Sequence, residues 1–203
     1  MSDKIISQVV NISKHITENV DWLAGDSRKR CGRMPWAVVG VGSMELVDVI
    51  RAEKRNVKVQ DWNAGKVPKG QFPLSKCKAG IVSGRGWEWR IVTFEALSER
   101  FRVLIKLSLE RQYYSAILGL EKGSDLIILC HHELHVSHRN WHCHYIGGNV
   151  TTAHPGVLRD RDRMSAWPRM SDAPCTVDFA ITKANALAMA AERFRFQAQG
   201  GLL

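Results

Sequence analysis

The sequence predicts an α+β fold: an antiparallel meander over about residues 87–146, with N-terminal and C-terminal helices packed on one of its faces. Three observations predict it. Apolar residues recur at spacings of three and four before and after the middle of the chain, and between them the period changes to two. Five runs rich in β-branched and aromatic residues follow one another there, separated by short polar turns.

The elements follow in order. Residues 3–24 place Ile5, Ile6, Val9, Ile12, Ile16, Val20 and Leu23 on one helical stripe, with Ser2 or Asp3 to cap its start and Gly25 to end it. A basic turn, DSRKRCGR, leads into a short apolar strand, PWAVVGV, and then a helix from Ser43 to about Arg55. Gly40-Val41-Gly42-Ser43 reads as a tight turn at that junction, lacking the rest of a nucleotide fingerprint. Residues 61–86 are rich in Gly, Pro and Lys without periodicity, which predicts a loop that meets the ligand. The strands expected next are WEWRIVTFEAL, FRVLIKLSLE, QYYSAILGLE, DLIILCHHELHV and WHCHYI, with turns at SER, near Arg111, at EKGS and at SHRN. Residues 147–175 read as a second loop, and Thr176–Gln197 as the final helix. The whole is one domain: a helical and basic layer at 1–62, a flexible loop at 63–86, the sheet at 87–147, and a loop with a helix at 148–203.

Composition bounds the function. Apolar residues make up 45%, as in a globular protein, and no apolar run approaches the length of a membrane span. The N-terminus lacks a secretory pattern, so a cytoplasmic location is expected. The five cysteines are odd in number and irregularly spaced, which predicts reduced thiols rather than a disulfide framework. The net charge of +9 is clustered, with Arg28, Lys29 and Arg30 in one group and Lys66 and Lys69 in another. Arg159 and Arg161 belong to a further charged stretch, RDRDR. Such a balance favours a polyanion, most simply nucleic acid, whose phosphates these residues would contact.

The chemistry concentrates in CHHELHVSHRNWHCHYI, residues 130–146, which holds six of the eight histidines. Strand alternation sends His131, Glu133 and His135 to one face and Cys130, His132, Leu134 and Val136 to the other. With Ser137 paired to Asn140, His135 falls opposite His142 and Glu133 opposite His144. One face then collects His131, Glu133, His135, His142 and His144, and the other Leu134, Val136, Trp141, Cys143 and Tyr145. Imidazoles on adjacent strand positions with a carboxylate nearby suit a divalent metal such as Mn, Mg or Zn. The expected ligands are His135, His142 and His144, with Glu133 as a ligand, an orienting partner or a general base. Without metal, His135 and His142 can act as an acid–base pair on a phosphodiester. His131, the loop residue His154 and Tyr113 are further candidates, Tyr113 because it can stack a base or supply a hydroxyl. Trp87 and Trp89 share a strand face with Ile91 and are expected in the core.

His142-Cys143-His144 resembles the His–hydrophobic–His motif of the HUH endonucleases, the superfamily of plasmid relaxases and rolling-circle replication initiators. The spacing from His135 to His142 is similar to the three-histidine site of mobilisation relaxases, and that from Glu133 to the Glu-plus-HUH arrangement of some initiators. The resemblance implies a metal site on an antiparallel sheet and cleavage of single-stranded DNA by a tyrosine nucleophile. No tyrosine follows Tyr145, and Phe179 stands where an initiator would carry one. The expected function is therefore a nucleic-acid phosphodiesterase or endonuclease with a metal-dependent histidine cluster. The alternatives are a metal-independent RNase, or a non-catalytic phage or mobile-element protein that binds nucleic acid or an enzyme.

Overall fold

The computed structural model describes residues 43–77, 81, 84–135, 138–167 and 180–197. The helix expected at 3–24, the strand PWAVVGV, and Arg28, Lys29, Arg30 and Phe179 lie outside these residues. Helix α1 (Leu46–Arg51) is followed by β1 (Arg55–Val59), β2 (Asn63–Ala64), β3 (Glu88–Ala96), β4 (Glu99–Ser108), β5 (Tyr113–Lys122) and β6 (Asp125–His135). Then come β7 (His138–Ile146), a 3₁₀ turn (Val150–Thr152), β8 (Met164–Trp167) and α2 (Lys183–Phe194). The strands form one antiparallel sheet in the order β1-β3-β4-β5-β6-β7-β8, with β2 pairing alongside β3.

The expected meander is present as β3 to β7, and the helices pack on one of its faces. Val92, Phe94, Ile105, Leu107, Ala116 and Leu118 on that face meet Leu46, Val49 and Ile50 of α1 and Ala186, Met189, Ala190 and Phe194 of α2. α2 begins where Thr182 Oγ1 accepts the Asn185 amide at 3.2 Å and Asn185 Oδ1 accepts the Thr182 amide at 2.8 Å. It ends at Arg195, in the left-handed region at φ 53°. Three strands depart from the sequence reading. The helix expected to run to Arg55 ends at Arg51 and β1 begins at Arg55, β2 lies in the expected loop, and β8 lies within the stretch expected as loop at 147–175.

Among the described residues, apolar side chains cover the second face at one end. Val67, Phe72, Leu74 and Ile81, from the segment expected as a mobile loop, are buried against Trp89, Ile91, Leu104, Ile117, Leu126 and Ile128. These four residues of the loop expected to meet the ligand serve as apolar cover, while Lys66 and Lys69 are exposed. The other end of the face carries Lys106, Ser115, Glu133 and His142 on four neighbouring strands, in register through Lys106↔Ser115, Ser115↔Glu133 and Glu133↔His142.

The β6–β7 register corrects the one expected. His131 lies opposite His144 and Glu133 opposite His142, while His135 is opposite His138. The turn is therefore not SHRN: His138, Arg139 and Asn140 belong to β7. An irregularity between Glu133 and His135 absorbs the difference in length. The pairing has slipped by two residues relative to the expectation, and a slip of two preserves which face each side chain takes.

A candidate metal centre on the second sheet face

Glu133 is the hub. It is 3% exposed, and its two carboxylate oxygens have different partners. Oε2 lies 3.0 Å from His131 Nε2 and accepts a longer contact of 3.4 Å from the Tyr113 hydroxyl. Oε1 faces His142 Nε2 at 3.0 Å and His144 Nε2 at 3.4 Å, and accepts from Arg159 Nη2 at 2.5 Å. Burial works to raise the pKa of this carboxyl. The hydrogen bonds from His131, His142 and His144 outweigh it and hold the group far below the usual carboxylate range.

His131 is buried, and its Nε2 also lies 2.8 Å from Ser115 Oγ. Among the described residues its Nδ1 has no partner, which fits a neutral ring carrying its proton on Nε2 and sharing it between Ser115 and Glu133. Burial lowers its pKa against the opposing pull of Glu133, in keeping with that neutral form.

Glu133, His142 and His144 bring one carboxylate oxygen and two imidazole nitrogens within 4.8 Å of one another, a donor set that can hold a divalent cation. His135, expected as the third ligand, stands beside this group rather than in it. Its ring centroid is 4.9 Å from that of His142, edge to face, and 5.8 Å from that of Tyr113, stacked. Glu133 takes its place because the two-residue slip puts the carboxylate, not His135, directly across from His142.

Cations flank the centre. Lys106 has its ammonium 4.9 Å from the Trp87 ring centroid. Burial lowers its pKa, and the Glu133 carboxylate pulls the other way. Sequence reasoning missed Lys106; the signal was a single charged residue inside the apolar run VLIKLSL. Ser115 was missed as well, being a small polar residue in an apolar strand. Trp87, expected in the core, is half-buried and packs edge-on against Tyr113 with centroids 4.6 Å apart, whereas Trp89 is in the core as expected. Burial and the Glu133 charge raise the Tyr113 hydroxyl to about 12.

Arg159 reaches Glu133 from the loop that follows the 3₁₀ turn. In the same loop His154, a candidate to complete the site, is engaged instead with Asp160, Nδ1 to Oδ2 at 2.9 Å. Arg161 is exposed.

Behind the centre, His132 points to the helix-covered face, as the alternation predicts. It is buried beside Tyr114 and Trp141, and burial pushes its pKa well below the ordinary imidazole value. Cys143, between the two histidine ligands in sequence, faces the same way and accepts from Arg193 Nη2 of α2 at 3.1 Å. Cys130 and Cys143 are buried free thiols. Among the described residues, no helix is long and apolar enough to cross a membrane. Comparison of the chain with protein-family models, with curated proteins and with solved structures finds no match.

Proposed function

We propose that the chain is a phosphodiesterase acting on nucleic acid, with a divalent-metal centre at Glu133, His142 and His144. The observation that carries this reading is the convergence of those three donors within 4.8 Å on a sheet face whose other residues include Lys106 and, from the adjoining loop, Arg159. A carboxylate and two neutral imidazoles suit Mn, Zn and similar ions, and the flanking cations suit the anionic oxygens of a phosphate. When bound, the metal supplies Lewis-acid charge at the phosphoryl oxygen. The chain's own residues do the rest: His131 and Ser115 orient Glu133, and Lys106 and Arg159 attract the phosphate. The net charge of +9 favours approach of a polyanion.

The His142-Cys143-His144 motif on a strand, with a glutamate opposite, supports the likeness to HUH endonucleases in the metal centre. The nucleophile differs from theirs. Among the described residues Tyr113 is the tyrosine whose hydroxyl meets the centre, where it donates to Glu133 Oε2, and no tyrosine follows Tyr145, where an initiator would carry one. Hydrolysis by water is therefore the proposed reaction.

The test is cleavage of labelled DNA and RNA oligonucleotides with Mn²⁺ or Mg²⁺, with EDTA, and with His142→Ala. Cleavage that needs metal and His142 is expected; cleavage by the variant at the wild-type rate refutes the site. The 4.9 Å approach of the His135 and His142 rings supports one other reading, an acid–base RNase without metal. It predicts EDTA-resistant RNA cleavage with a bell-shaped pH profile. A chain that only binds nucleic acid gives no cleavage with any metal, and binding that weakens steeply with salt.

A further inference from the structure

Glu133 Oε1 is shared by three groups, and one of them stands where a metal ion would compete for it. Arg159 Nη2 is 2.5 Å from that oxygen, while His142 Nε2 and His144 Nε2 face it at 3.0 and 3.4 Å. A carboxylate oxygen bound to zinc lies about 2.0–2.2 Å from the ion. A guanidinium kept at its present distance would then crowd a second positive charge against the metal through one shared oxygen. The two cations are alternatives.

We propose that Arg159 is an exchangeable counter-ion of the centre. In the metal-free chain it neutralises Glu133; when a divalent cation takes the donor set, the guanidinium leaves Oε1 and grips an oxyanion of the bound ligand. This rests on the metal reading of the site and adds the residue that couples metal to phosphate.

Three features argue that Arg159 is the partner that moves. Its side chain is 43% exposed, against 3% for Glu133. Glu133 is held from the far side by His131 and Tyr113 on Oε2, whereas the Glu133 contact is the hydrogen bond that Arg159 makes among the described residues. The backbone around it is also fixed. The Gly156 amide donates to Leu126 O at 2.8 Å, and Asp160 O accepts from the amides of Arg163 and Met164 at 3.1 and 2.8 Å. The swing is thus confined to a side chain whose root stays beside the centre, where a planar guanidinium can take two phosphate oxygens.

Linkage makes the exchange measurable without turnover, because anything that removes Arg159 from Oε1 must favour the metal, and the reverse. The experiment titrates Mn²⁺, followed by electron paramagnetic resonance of the free ion, into wild type, Arg159→Met, Arg159→Gln and His142→Ala. Each titration is run with and without dimethyl phosphate, a diester anion. Both Arg159 variants are expected to bind Mn²⁺ about 10-fold more tightly than wild type, a typical coupling between linked sites. Dimethyl phosphate is expected to tighten Mn²⁺ binding several-fold in wild type and clearly less in either variant, where the metal and Lys106 alone remain to hold it. Equal or weaker Mn²⁺ binding by both variants, with His142→Ala binding none, overturns the exchange and leaves the metal centre standing. Absence of Mn²⁺ binding from wild type and the Arg159 variants alike overturns both.

Discussion

His131 Nε2 lies 3.0 Å from Glu133 Oε2, the carboxylate oxygen turned away from His142 and His144. His131 therefore sets the angle at which Glu133 presents its other oxygen, and Ser115 Oγ, 2.8 Å from the same nitrogen, sets the angle of His131. Partners of this kind typically carry 10–100-fold in metal affinity. His131→Leu is expected to weaken Mn²⁺ binding by about that factor without changing its stoichiometry, and His131→Gln, which restores a donor, to recover part of the loss. Calorimetric titration of the three proteins checks this. A one-to-zero change in stoichiometry would instead make His131 a ligand.

The identity of the ligands separates two descriptions of the hairpin. If Glu133, His142 and His144 hold the ion, then Glu133→Gln, His142→Ala and His144→Ala each abolish one equivalent of bound metal, and His135→Ala leaves it in place. If the set is instead His135, His142 and His144, the His135 variant loses the metal and the glutamine variant keeps it. Metal content of the purified proteins before and after EDTA decides between them. Glu133→Gln is also expected to cost about 1–3 kcal/mol of stability, because it disturbs a buried acceptor with several donors aimed at it. Urea unfolding of the EDTA-treated proteins reads that loss apart from the metal.

The hairpin shows how far alternation along a strand can carry an inference. Which face each histidine takes was legible, because parity depends only on period two and survives a slip of two residues. Which residues stand opposite one another was not, because that depends on the turn position and on the irregularity between Glu133 and His135. Alternation encodes neither. The central strands were legible from their apolar runs. β1 was not, since Arg55–Val59 is largely polar and exposed and pairs with only part of β3. Lys106 was hidden for another reason. A lone lysine in a strand reads as a solvated position, and only the register that sets it in line with Ser115, Glu133 and His142 places it at the candidate site.

Lysine titration offers a check on the electrostatics. The Lys54 ammonium donates to the carbonyls of Val49, Ile50 and Ala52 at 2.7 Å each, and burial, with the nearby Arg195 charge, lowers its pKa to about 8. Lys106 is lowered by burial and pulled back by Glu133. In ¹³C-dimethylated protein, one lysine resonance is expected to titrate near pH 8 and to vanish in Lys54→Arg. A second, assigned by Lys106→Arg, titrates below the ordinary lysine range and moves lower still in Glu133→Gln. The sign for stability follows. Between about pH 8 and 10.5 the unfolded chain holds the Lys54 proton more fully than the folded one, so this group's contribution to stability rises with pH across that window. A Lys54 contribution that fell with pH there would contradict the assignment.

Gly156 ties the Arg159 loop to the rest of the molecule, and its substitution tests that tie. Its φ is +83°, a region that side chains rarely adopt. A Cβ there would lie 2.6 Å from Ser75 Oγ and 2.7 Å from Asp125 Oδ2. Those two atoms are themselves hydrogen-bonded at 2.5 Å, and Asp125 Oδ1 accepts the Ser75 amide at 2.8 Å, so moving either away breaks a hydrogen bond. Gly156→Ala therefore combines backbone strain with a clash against a fixed pair, and about 1–3 kcal/mol of destabilisation is expected. Adding Ser75→Ala removes one of the two clashing oxygens and leaves the strain and the Asp125 contact, so it should restore only part of the loss. The same substitution shifts the backbone from which Arg159 reaches Glu133. Mn²⁺ affinity in Gly156→Ala is accordingly expected to move toward that of Arg159→Met, and unfolding measured beside the Mn²⁺ titration distinguishes a displaced loop from a chain that no longer folds.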